Sequence, residues 1–316
     1  MLKYDLTKKK AILLFSGGLD SILVAKILKE QKIELLGLTF ESCFFSPKEA
    51  KKAAKKLKIH LKIVGITKEM IKILKKPKYG FGSQINPCLD CHLLMLKKAK
   101  EIMEKEKFDF VATGEVLGER PFSQNKKALE IVEKESSLKG YLLRPLSAKL
   151  LKPTIPEIKG LVERKKFFAF SGKRRKRQIE LAKKFKIKYY PAPAGGCLLT
   201  DPNFAERLKD LMRNYPKFKK NDLELLKVGR HFWEGKIKII VGRNEKENLK
   251  LKKLAKKKDV LIEMINYPGP TTLIRNYGKE EMRKEIFLKA KKLIKNYSRK
   301  SKGKGDVKFK LKTIEG

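Results

Sequence analysis

One short segment combines residue types that could bind the phosphates of a nucleotide. Residues 16–21 read Ser-Gly-Gly-Leu-Asp-Ser and follow an apolar run at residues 11–15, which is typical of a buried parallel strand. A helical pattern begins directly after the segment, where the first N–H groups of a helix lack internal partners and the glycines admit an anion. Ser16 and Ser21 add hydroxyl donors, and Asp20 could hold magnesium. The simpler alternative is an ordinary strand-to-helix turn capped by Asp20.

Three cysteines form the second group with chemical potential. Cys88 and Cys91 are three residues apart at a predicted helix start, and Cys197 lies much later in a Gly-Gly-Cys loop. They are compatible with a zinc site that takes His92 or Cys43 as its fourth ligand. They are also compatible with a [4Fe–4S] cluster that keeps one iron open. The third possibility is a redox pair, Cys91 and Cys197, in which one thiol carries persulfide sulfur.

The composition indicates a polyanionic partner. The chain has 316 residues, and its 78 basic and 35 acidic side chains give a net charge of +43. This charge favours nucleic acid ahead of a membrane surface, although a generally lysine-rich proteome would contribute to it. The sequence contains no run of about 18 apolar residues, which is the length that would predict a transmembrane helix. We therefore expect a cytoplasmic protein without membrane contacts, whose cysteines serve metal or catalytic roles.

The order of apolar runs predicts the fold class. Strand patterns alternate with helical ones through the first half of the chain, at residues 33–40, 59–66, 108–113 and 141–146. This alternation predicts an α/β fold with a doubly wound parallel sheet, followed by a second, small α+β domain. Right-handed crossovers would bring the loops after strands one, two and four to one edge. We therefore expect residues 16–21, Phe40 and residues 113–115 to converge there.

The segment Ser-Gly-Gly-x-Asp-Ser resembles the pyrophosphate (PP) loop of the N-type ATP pyrophosphatases, which include tRNA thiolases, GMP synthetase and asparagine synthetase. Together with the thiols, it looks like the site of the tRNA-specific 2-thiouridylases and their cluster-dependent thiolase relatives, and it is similar to the tRNA 4-thiouridine synthases. Asn86-Pro87-Cys88-x-x-Cys91 matches the 2-thiouridylase pattern Asn-Pro-Asp-x-x-Cys, with Cys88 at the aspartate position. Ala112-Thr113-Gly114 matches the Ala-Thr-Gly of the nucleotide site, with Glu115 where histidine is common. The resemblance covers roughly residues 8–215.

The resemblance implies specific roles for these residues. Cys91, Cys197 and Asp20 would be catalytic, and the cluster would be held by Cys88, Cys91 and Cys197. Three thiols are one short of a closed zinc site, which favours the cluster over zinc. ATP with Mg²⁺ would be bound by Ser16, Gly17, Gly18, Asp20, Ser21, Phe40, Thr113 and Gly114.

The C-terminal part resembles the RNA-binding domain of the NFACT proteins. The matching residues include Val228-Gly229-Arg230-His231-Phe232 and the stretch from Ile240 to Asn248. We expect a PP-loop domain at 1–150, a basic extension at 151–218, an RNA-binding domain at 219–280 and a basic helix and tail at 281–316. Phosphate contacts are predicted for Lys173, Arg174, Arg175, Arg177, Arg230 and Arg243.

These features together imply ATP-dependent thiolation of a tRNA uridine. The uracil oxygen would attack the α-phosphate of ATP to release pyrophosphate, and sulfur would then displace AMP. The expected partners are tRNA and a sulfur donor, either a persulfide carrier or sulfide. Two alternatives remain, an adenylating amide ligase of the same superfamily and a non-catalytic RNA-binding factor. The ligase does not require three cysteines, and the binding factor does not require the PP loop.

Overall fold

The computed structural model describes residues 9–192, 196–279, 281–301 and 304–315. The chain divides into two compact units, Met1–Leu198 and Leu199–Gly316. The sequence predicts divisions after residues 150, 218 and 280, so the observed division lies nearest the second of them. The segment that follows Leu198 belongs to the C-terminal unit. The finer four-part division remains a prediction.

The N-terminal unit alternates strands and helices. Its strands are β1 (Lys10–Leu14), β2 (Glu34–Glu41), β3 (His60–Gly65), β4 (Phe110–Ala112) and β5 (Leu142–Leu143). Its helices are α1 (Leu19–Glu30), α2 (Lys48–Leu57), α3 (Thr67–Lys75), α4 (Cys88–Lys105), α5 (Lys126–Glu135), α6 (Ile155–Ile158) and α7 (Lys176–Lys184). Among the described residues, the strands form one parallel sheet in the order β3-β2-β1-β4-β5. The predicted doubly wound α/β fold is confirmed.

The central strand determines where a ligand can bind. Ala11, Ile12 and Leu13 in β1 are fully buried, as expected for a strand covered by helices on both faces. The chain leaves β1 towards β2 on one side, and β4 pairs with its other side. Such a switch point opens a crevice at the carboxyl ends of the strands. The loops after β1, β2 and β4 all begin at that edge.

The C-terminal unit is built around an antiparallel sheet. Its helices are α8 (Pro202–Asn214), α9 (Lys220–Leu225), α10 (Glu245–Leu254) and α11 (Lys284–Tyr297). Its strands are β6 (Arg230–Glu234), β7 (Ile237–Val241), β8 (Val260–Met264), β9 (Thr272–Asn276) and β10 (Phe309–Thr313). In the part of the chain that is described, the strand order is β10-β8-β9-β7-β6. Ile286, Ala290 and Ile294 of α11 pack on one face of the sheet. No helix in the described ranges is long and apolar enough to cross a membrane.

The end of the chain corrects the expectation of a basic tail after α11. Residues Phe309–Thr313 form β10, which pairs antiparallel with β8 from Phe309↔Met264 to Thr313↔Val260. Lysine alternates with less polar residues in this segment, which is the period of a strand. Lys310 and Lys312 are exposed on the outer strand, where lysines oppose pairing with a further chain.

A buried arginine anchors the C-terminal unit. Arg275 is 1% exposed, and its Nη2 donates to Asp259 Oδ2 at 2.6 Å while its Nη1 donates to Asp222 Oδ1 at 2.8 Å. Its Nη1 also donates to Asn221 Oδ1 at 2.6 Å and its Nη2 to the Leu254 carbonyl at 3.1 Å. One guanidinium therefore joins β9 to α9 and to the turn between α10 and β8.

Replacing this arginine should destabilise the C-terminal unit strongly. We expect Arg275→Met to lower the free energy of unfolding by about 3–5 kcal/mol, because Asp259 and Asp222 would remain buried without their cation. Arg213→Met is the matched control: its side chain is 78% exposed, and we expect a change below about 0.5 kcal/mol. The fluorescence of Trp233, the chain's single tryptophan, reports urea unfolding of this unit. Equal midpoints for the two variants would contradict the anchoring role.

Candidate nucleotide and thiol site

The PP loop leads into the N-terminus of α1, and the hydroxyl groups of Ser16 and Ser21 form hydrogen bonds within the loop. Gly18 is the N-cap of α1, and no described side chain caps it. The Ser21 hydroxyl donates to the Gly18 carbonyl at 2.9 Å, and the Gly18 N–H donates to Ser16 Oγ at 3.2 Å. Asp20 therefore lies in the first helical turn and does not cap the helix. The first-turn N–H groups face the crevice end of the sheet, where an anion would be stabilised by the helix dipole.

Two glycines allow neighbouring backbone to pass close to this loop. Gly17 has a φ of +76°, and a Cβ there would lie 2.5 Å from the Ala50 nitrogen at the start of α2. A Cβ on Gly114 would lie 2.8 Å from the Ser21 nitrogen. The loop after β4 therefore rests directly on the start of α1. Residues 16–21 and 113–115 converge as the topology predicts, and the Phe40 side chain is buried at the end of β2.

A buried carboxylate connects this edge to the cysteine helix. Glu115 Oε2 accepts from Thr113 Oγ1 and from Arg144 Nε, both at 3.0 Å. Glu115 Oε1 lies 3.1 Å from Nδ1 of His92, the residue after Cys91. Burial alone would raise the pKa of Glu115, but the Arg144 charge and the His92 hydrogen bond lower it to about 2. Arg144 also donates to Glu133 Oε2 at 3.0 Å, which ties α5 to the same network.

The three predicted cysteines interact with one another. All three are half-buried, and Cys88 begins α4, where its Sγ accepts from Asn86 Nδ2 at 3.1 Å. The Leu198 N–H donates to the Phe44 carbonyl at 2.9 Å, which anchors the Cys197 loop just after β2. Desolvation raises the pKa of the Cys91 thiol, and the negative charges of Cys197, Cys88 and Asp90 raise it further. The Cys197 loop, distant in the sequence, is therefore close enough to α4 for its thiol to act electrostatically on Cys91.

The donor set has the chemistry of a soft metal or sulfur site. Thiolates suit iron–sulfur clusters and zinc, and a nearby cation would relieve their mutual repulsion. Within the described ranges, however, no group of three or more His, Cys, Asp and Glu residues is arranged to hold a metal ion. Gly195 of the Gly-Gly-Cys loop lies outside the described residues. Cys43, considered as a fourth ligand, is buried after β2. The other such residue, His92, has its Nδ1 engaged by Glu115.

A second set of polar groups, which the sequence analysis did not identify as a site, lies at the start of α1. Arg175 Nη2 is 3.8 Å from Asp20 Oδ2, and its Nε is 3.9 Å from Glu119 Oε1. Burial raises the pKa of Asp20, and it raises that of Glu119 to about 7 with help from the Asp20 charge. The side chain of Gln178 from α7 faces both carboxylates and lowers the pKa of each. We call Asp20, Glu119, Arg175 and Gln178 the polar cluster.

Backbone pairing brings these distant residues together. The Gly172 N–H donates to the Leu117 carbonyl at 2.8 Å, so the chain before α7 runs beside the loop after β4. Ser147 connects both segments: its Oγ accepts from the Leu117 N–H at 2.9 Å and donates to the Phe170 carbonyl at 2.7 Å. Pairings between single residues of irregular loops leave no periodic pattern, so the sequence carries little sign of them.

The predicted phosphate-binding residues fall into three environments. Lys173, Arg174 and Arg177 are exposed, whereas Arg175 is half-buried in the polar cluster. In the C-terminal unit, Arg230 stacks on the ring of Tyr297 with 4.3 Å from its guanidinium carbon to the ring centre. Arg243 Nε lies 3.0 Å from both oxygens of Glu247, which compensates its charge.

Glu115 should make the stability of the protein sensitive to acid. A carboxyl with a folded pKa near 2 and an unfolded value near 4.5 contributes stability above the unfolded value. That contribution is lost as the pH falls towards 2, at about 1.4 kcal/mol per pH unit. We expect Glu115→Gln to be less stable at pH 7 by about 3 kcal/mol and to lose less stability between pH 4.5 and 3. Urea unfolding at several pH values measures both, and parallel pH profiles would contradict the coupling.

Comparison with known proteins gives two family matches. The model described as "tRNA methyl transferase HUP domain" matches residues 9–167, and the one described as "NFACT protein RNA binding domain" matches residues 229–316. The latter range contains the sheet of the C-terminal unit. The former contains the PP loop, Cys88, Cys91 and Glu115, but ends before Cys197 and the α7 part of the polar cluster.

Individual relatives have related names. The tRNA-specific 2-thiouridylase MnmA of Caldicellulosiruptor saccharolyticus is 28% identical over 63% of this chain and 58% of its own length. That of Petrotoga mobilis is 26% identical over 81% of this chain and 75% of its own length. MnmA 2 of Fusobacterium nucleatum is 33% identical over 34% of this chain. A solved 4-thiouridine synthetase–RNA complex with bound ATP is 21% identical, with a TM-score of 0.38, over 69% of this chain and 52% of that chain.

The matches to individual relatives and the match to the family model differ in extent. The chain spans 58% of the Caldicellulosiruptor protein and 33% of the Fusobacterium protein, less than two thirds of either. The HUP-domain model, in contrast, matches more than half of the chain and includes the central sheet strands β1 to β5 and the loops that form the crevice. The chain therefore belongs to the tRNA methyl transferase HUP domain family.

Proposed function

We propose that this protein is an ATP-dependent tRNA sulfurtransferase that thiolates a uridine through an adenylated uracil. The observation that carries the proposal is the electrostatic coupling of Cys91 to both Cys88 and Cys197 in the unit that holds the PP loop. The names of the relatives, 2-thiouridylases, agree with it. An amide ligase with the same loop would not need the three thiols. A cytoplasmic location fits a tRNA substrate and remains a prediction.

The PP loop would activate the uracil oxygen. That oxygen attacks the α-phosphorus of ATP, a P–O bond breaks and pyrophosphate leaves. The helix N–H groups and the hydroxyls of Ser16 and Ser21 would stabilise the charge that develops on the departing group. Asp20 Oδ1 is buried and accepts no hydrogen bond from any described residue, which fits a carboxylate ligand of Mg²⁺. When bound there, Mg²⁺ would neutralise phosphate charge.

The cysteines would supply the sulfur. A sulfur nucleophile attacks the activated carbon, the C–O bond breaks and AMP leaves with the former uracil oxygen. We propose that Cys88, Cys91 and Cys197 hold a [4Fe–4S] cluster, which would supply an iron with an open coordination position for that nucleophile. The thiol donor set and its mutual repulsion support this assignment.

A cluster-free route uses the same thiols. A persulfide on one of Cys91 and Cys197 would attack the carbon, and the other thiolate would then attack the enzyme-bound sulfur. This step releases the thiolated base and leaves a Cys91–Cys197 disulfide, which a dithiol reductant must reduce by two electrons. Iron content distinguishes the two routes.

The C-terminal unit would bind the tRNA. Its match to an RNA-binding domain supports this role, and so does the net charge of +43 on the whole chain. A factor that only binds RNA would not need a PP loop. It would also not need a buried carboxylate oxygen such as Asp20 Oδ1, which has no hydrogen-bond partner among the described residues. We therefore favour the sulfurtransferase over a non-catalytic RNA-binding factor.

Thiolation and iron binding should depend on the same cysteine. Anaerobically purified protein, incubated with tRNA, ATP, Mg²⁺ and either sulfide or a persulfide donor with a dithiol reductant, should form thiouridine, which mass spectrometry of the digested nucleosides detects and maps. We expect Cys91→Ala to lose bound iron and to lower the thiolation rate at least about a hundredfold, because both routes use this thiol.

Glu180→Ala is the matched control, since Glu180 lies in the same unit and is exposed on α7. It should keep both iron and activity. Thiolation by a wild-type preparation that stays free of iron after reconstitution would refute the cluster and favour the persulfide route. Absence of thiouridine with unfractionated tRNA would contradict the proposed function.

RNA affinity should depend on salt through particular arginines. We expect Arg230→Ala to reduce the slope of log affinity against log salt by about 1, because one phosphate contact would be lost. Arg243→Ala should change the slope less, because Glu247 already compensates that charge. Filter binding of tRNA at several salt concentrations measures the slopes. A larger effect of Arg243→Ala than of Arg230→Ala would contradict this reading.

A further inference from the structure

The polar cluster contains more hydrogen-bonding groups than it satisfies. Gln178 is 1% exposed, and its Nε2 faces Asp20 and Glu119 but makes no hydrogen bond within 3.5 Å in the described part of the chain. Arg175 Nε, 3.9 Å from Glu119 Oε1, likewise makes no hydrogen bond there. A buried polar atom left unpaired costs about 1–3 kcal/mol. Two unpaired donors beside the carboxylate of Glu119 therefore suggest a ligand that completes the hydrogen bonds.

The donors and the acceptor have a definite chemical pattern. Gln178 Nε2 and Arg175 Nε can only donate, whereas the Glu119 carboxylate, in the ionised form that predominates above about pH 7, can only accept. Their complement is a planar group with two acceptors on either side of one donor. The imide edge of uracil has this pattern, O2, N3–H and O4, whereas cytosine has an acceptor at N3 and an amino donor at C4.

The position of the cluster agrees with such a ligand. Asp20 lies in the first turn of α1, so the cluster borders the loop proposed to bind the phosphates of ATP. Glu119 comes from the loop that follows β4, and Gln178 comes from α7, which packs on α1. A base held there would lie next to the α-phosphate that its oxygen must attack.

Building on the proposed function, we propose that Glu119, Gln178 and Arg175 recognise the imide edge of the target uracil. Glu119 accepts the hydrogen bond from N3–H, and Gln178 and Arg175 donate to the flanking carbonyl oxygens. This arrangement selects uridine over cytidine and orients a carbonyl oxygen towards ATP. Arg175 thereby contacts the RNA through a base instead of a phosphate.

The test uses a tRNA in which the mapped target uridine is replaced by 3-methyluridine, which lacks the N3–H. Because N3 must also lose its proton during adenylation, binding is compared instead of turnover: wild-type protein should bind the methylated tRNA at least about tenfold more weakly than the normal one. Glu119→Ala should lower kcat/KM for the normal tRNA by about ten- to a hundredfold. It should also shrink the discrimination against 3-methyluridine, measured as the ratio of the two tRNA affinities, to below about twofold.

Further variants separate recognition from damage to the fold. Gln178→Ala should lower kcat/KM for tRNA in the same way as Glu119→Ala, and Glu119→Gln keeps the size of the side chain as a variant expected to fold. Glu180→Ala, exposed on α7, should behave as wild type. The KM for ATP should stay within about twofold in all of them.

Each contrary outcome has a distinct meaning. Unchanged discrimination against 3-methyluridine in Glu119→Ala would overturn the recognition role while leaving the proposed function intact. A raised KM for ATP with unchanged discrimination would assign the cluster to the nucleotide and also overturn the proposal. Wild-type protein that thiolates no tRNA would overturn the proposed function, and this inference with it.

Discussion

The buried carboxylate of Glu115 is the interaction on which the arrangement of the site depends. It receives hydrogen bonds from Thr113 and Arg144 at the sheet edge and pairs with His92 on the helix that carries Cys88 and Cys91. Removing its charge would leave Arg144, which is 4% exposed, with only Glu133 as an acidic partner among the described residues. One side chain therefore couples α4, which carries Cys88 and Cys91, to the edge of the sheet where the PP loop lies.

Backbone contact adds a steric constraint to this electrostatic one. The loops after β1 and β4 approach so closely that a side chain at Gly114 would collide with the backbone of Ser21. Such packing leaves little freedom for the PP loop to shift relative to the rest of the crevice. In the proposed chemistry, the α-phosphorus of ATP must reach a uracil oxygen, and the sulfur must reach the carbon that carries this oxygen. A rigid crevice would hold these reacting groups in the required positions.

Much of this architecture is predictable because it follows from local patterns. The buried strand before Ser16, the helix after it and the handedness of crossovers together place the loops at one edge. The polar cluster is different, because Glu119 and Gln178 have no motif around them and meet through the pairing of Leu117 with Gly172. Arg175 shows the same limit: within a run of basic residues it reads as a phosphate ligand, but the structure buries it between two carboxylates. The sequence does not predict strand β10 either, because the lysines that protect an outer strand resemble those of a basic tail.

Activation of a uracil oxygen by ATP can be tested by tracing an isotope label from that oxygen into AMP. A tRNA transcribed with UTP labelled with ¹⁸O at the uracil carbonyls is incubated with the protein, ATP, Mg²⁺ and sulfide under anaerobic conditions. Activation through phosphorus should leave one ¹⁸O atom in the phosphate of AMP for each thiouridine formed, as measured by mass spectrometry. Thiolated tRNA accompanied by unlabelled AMP would contradict it, because the oxygen would then have left by a path that does not pass through phosphorus.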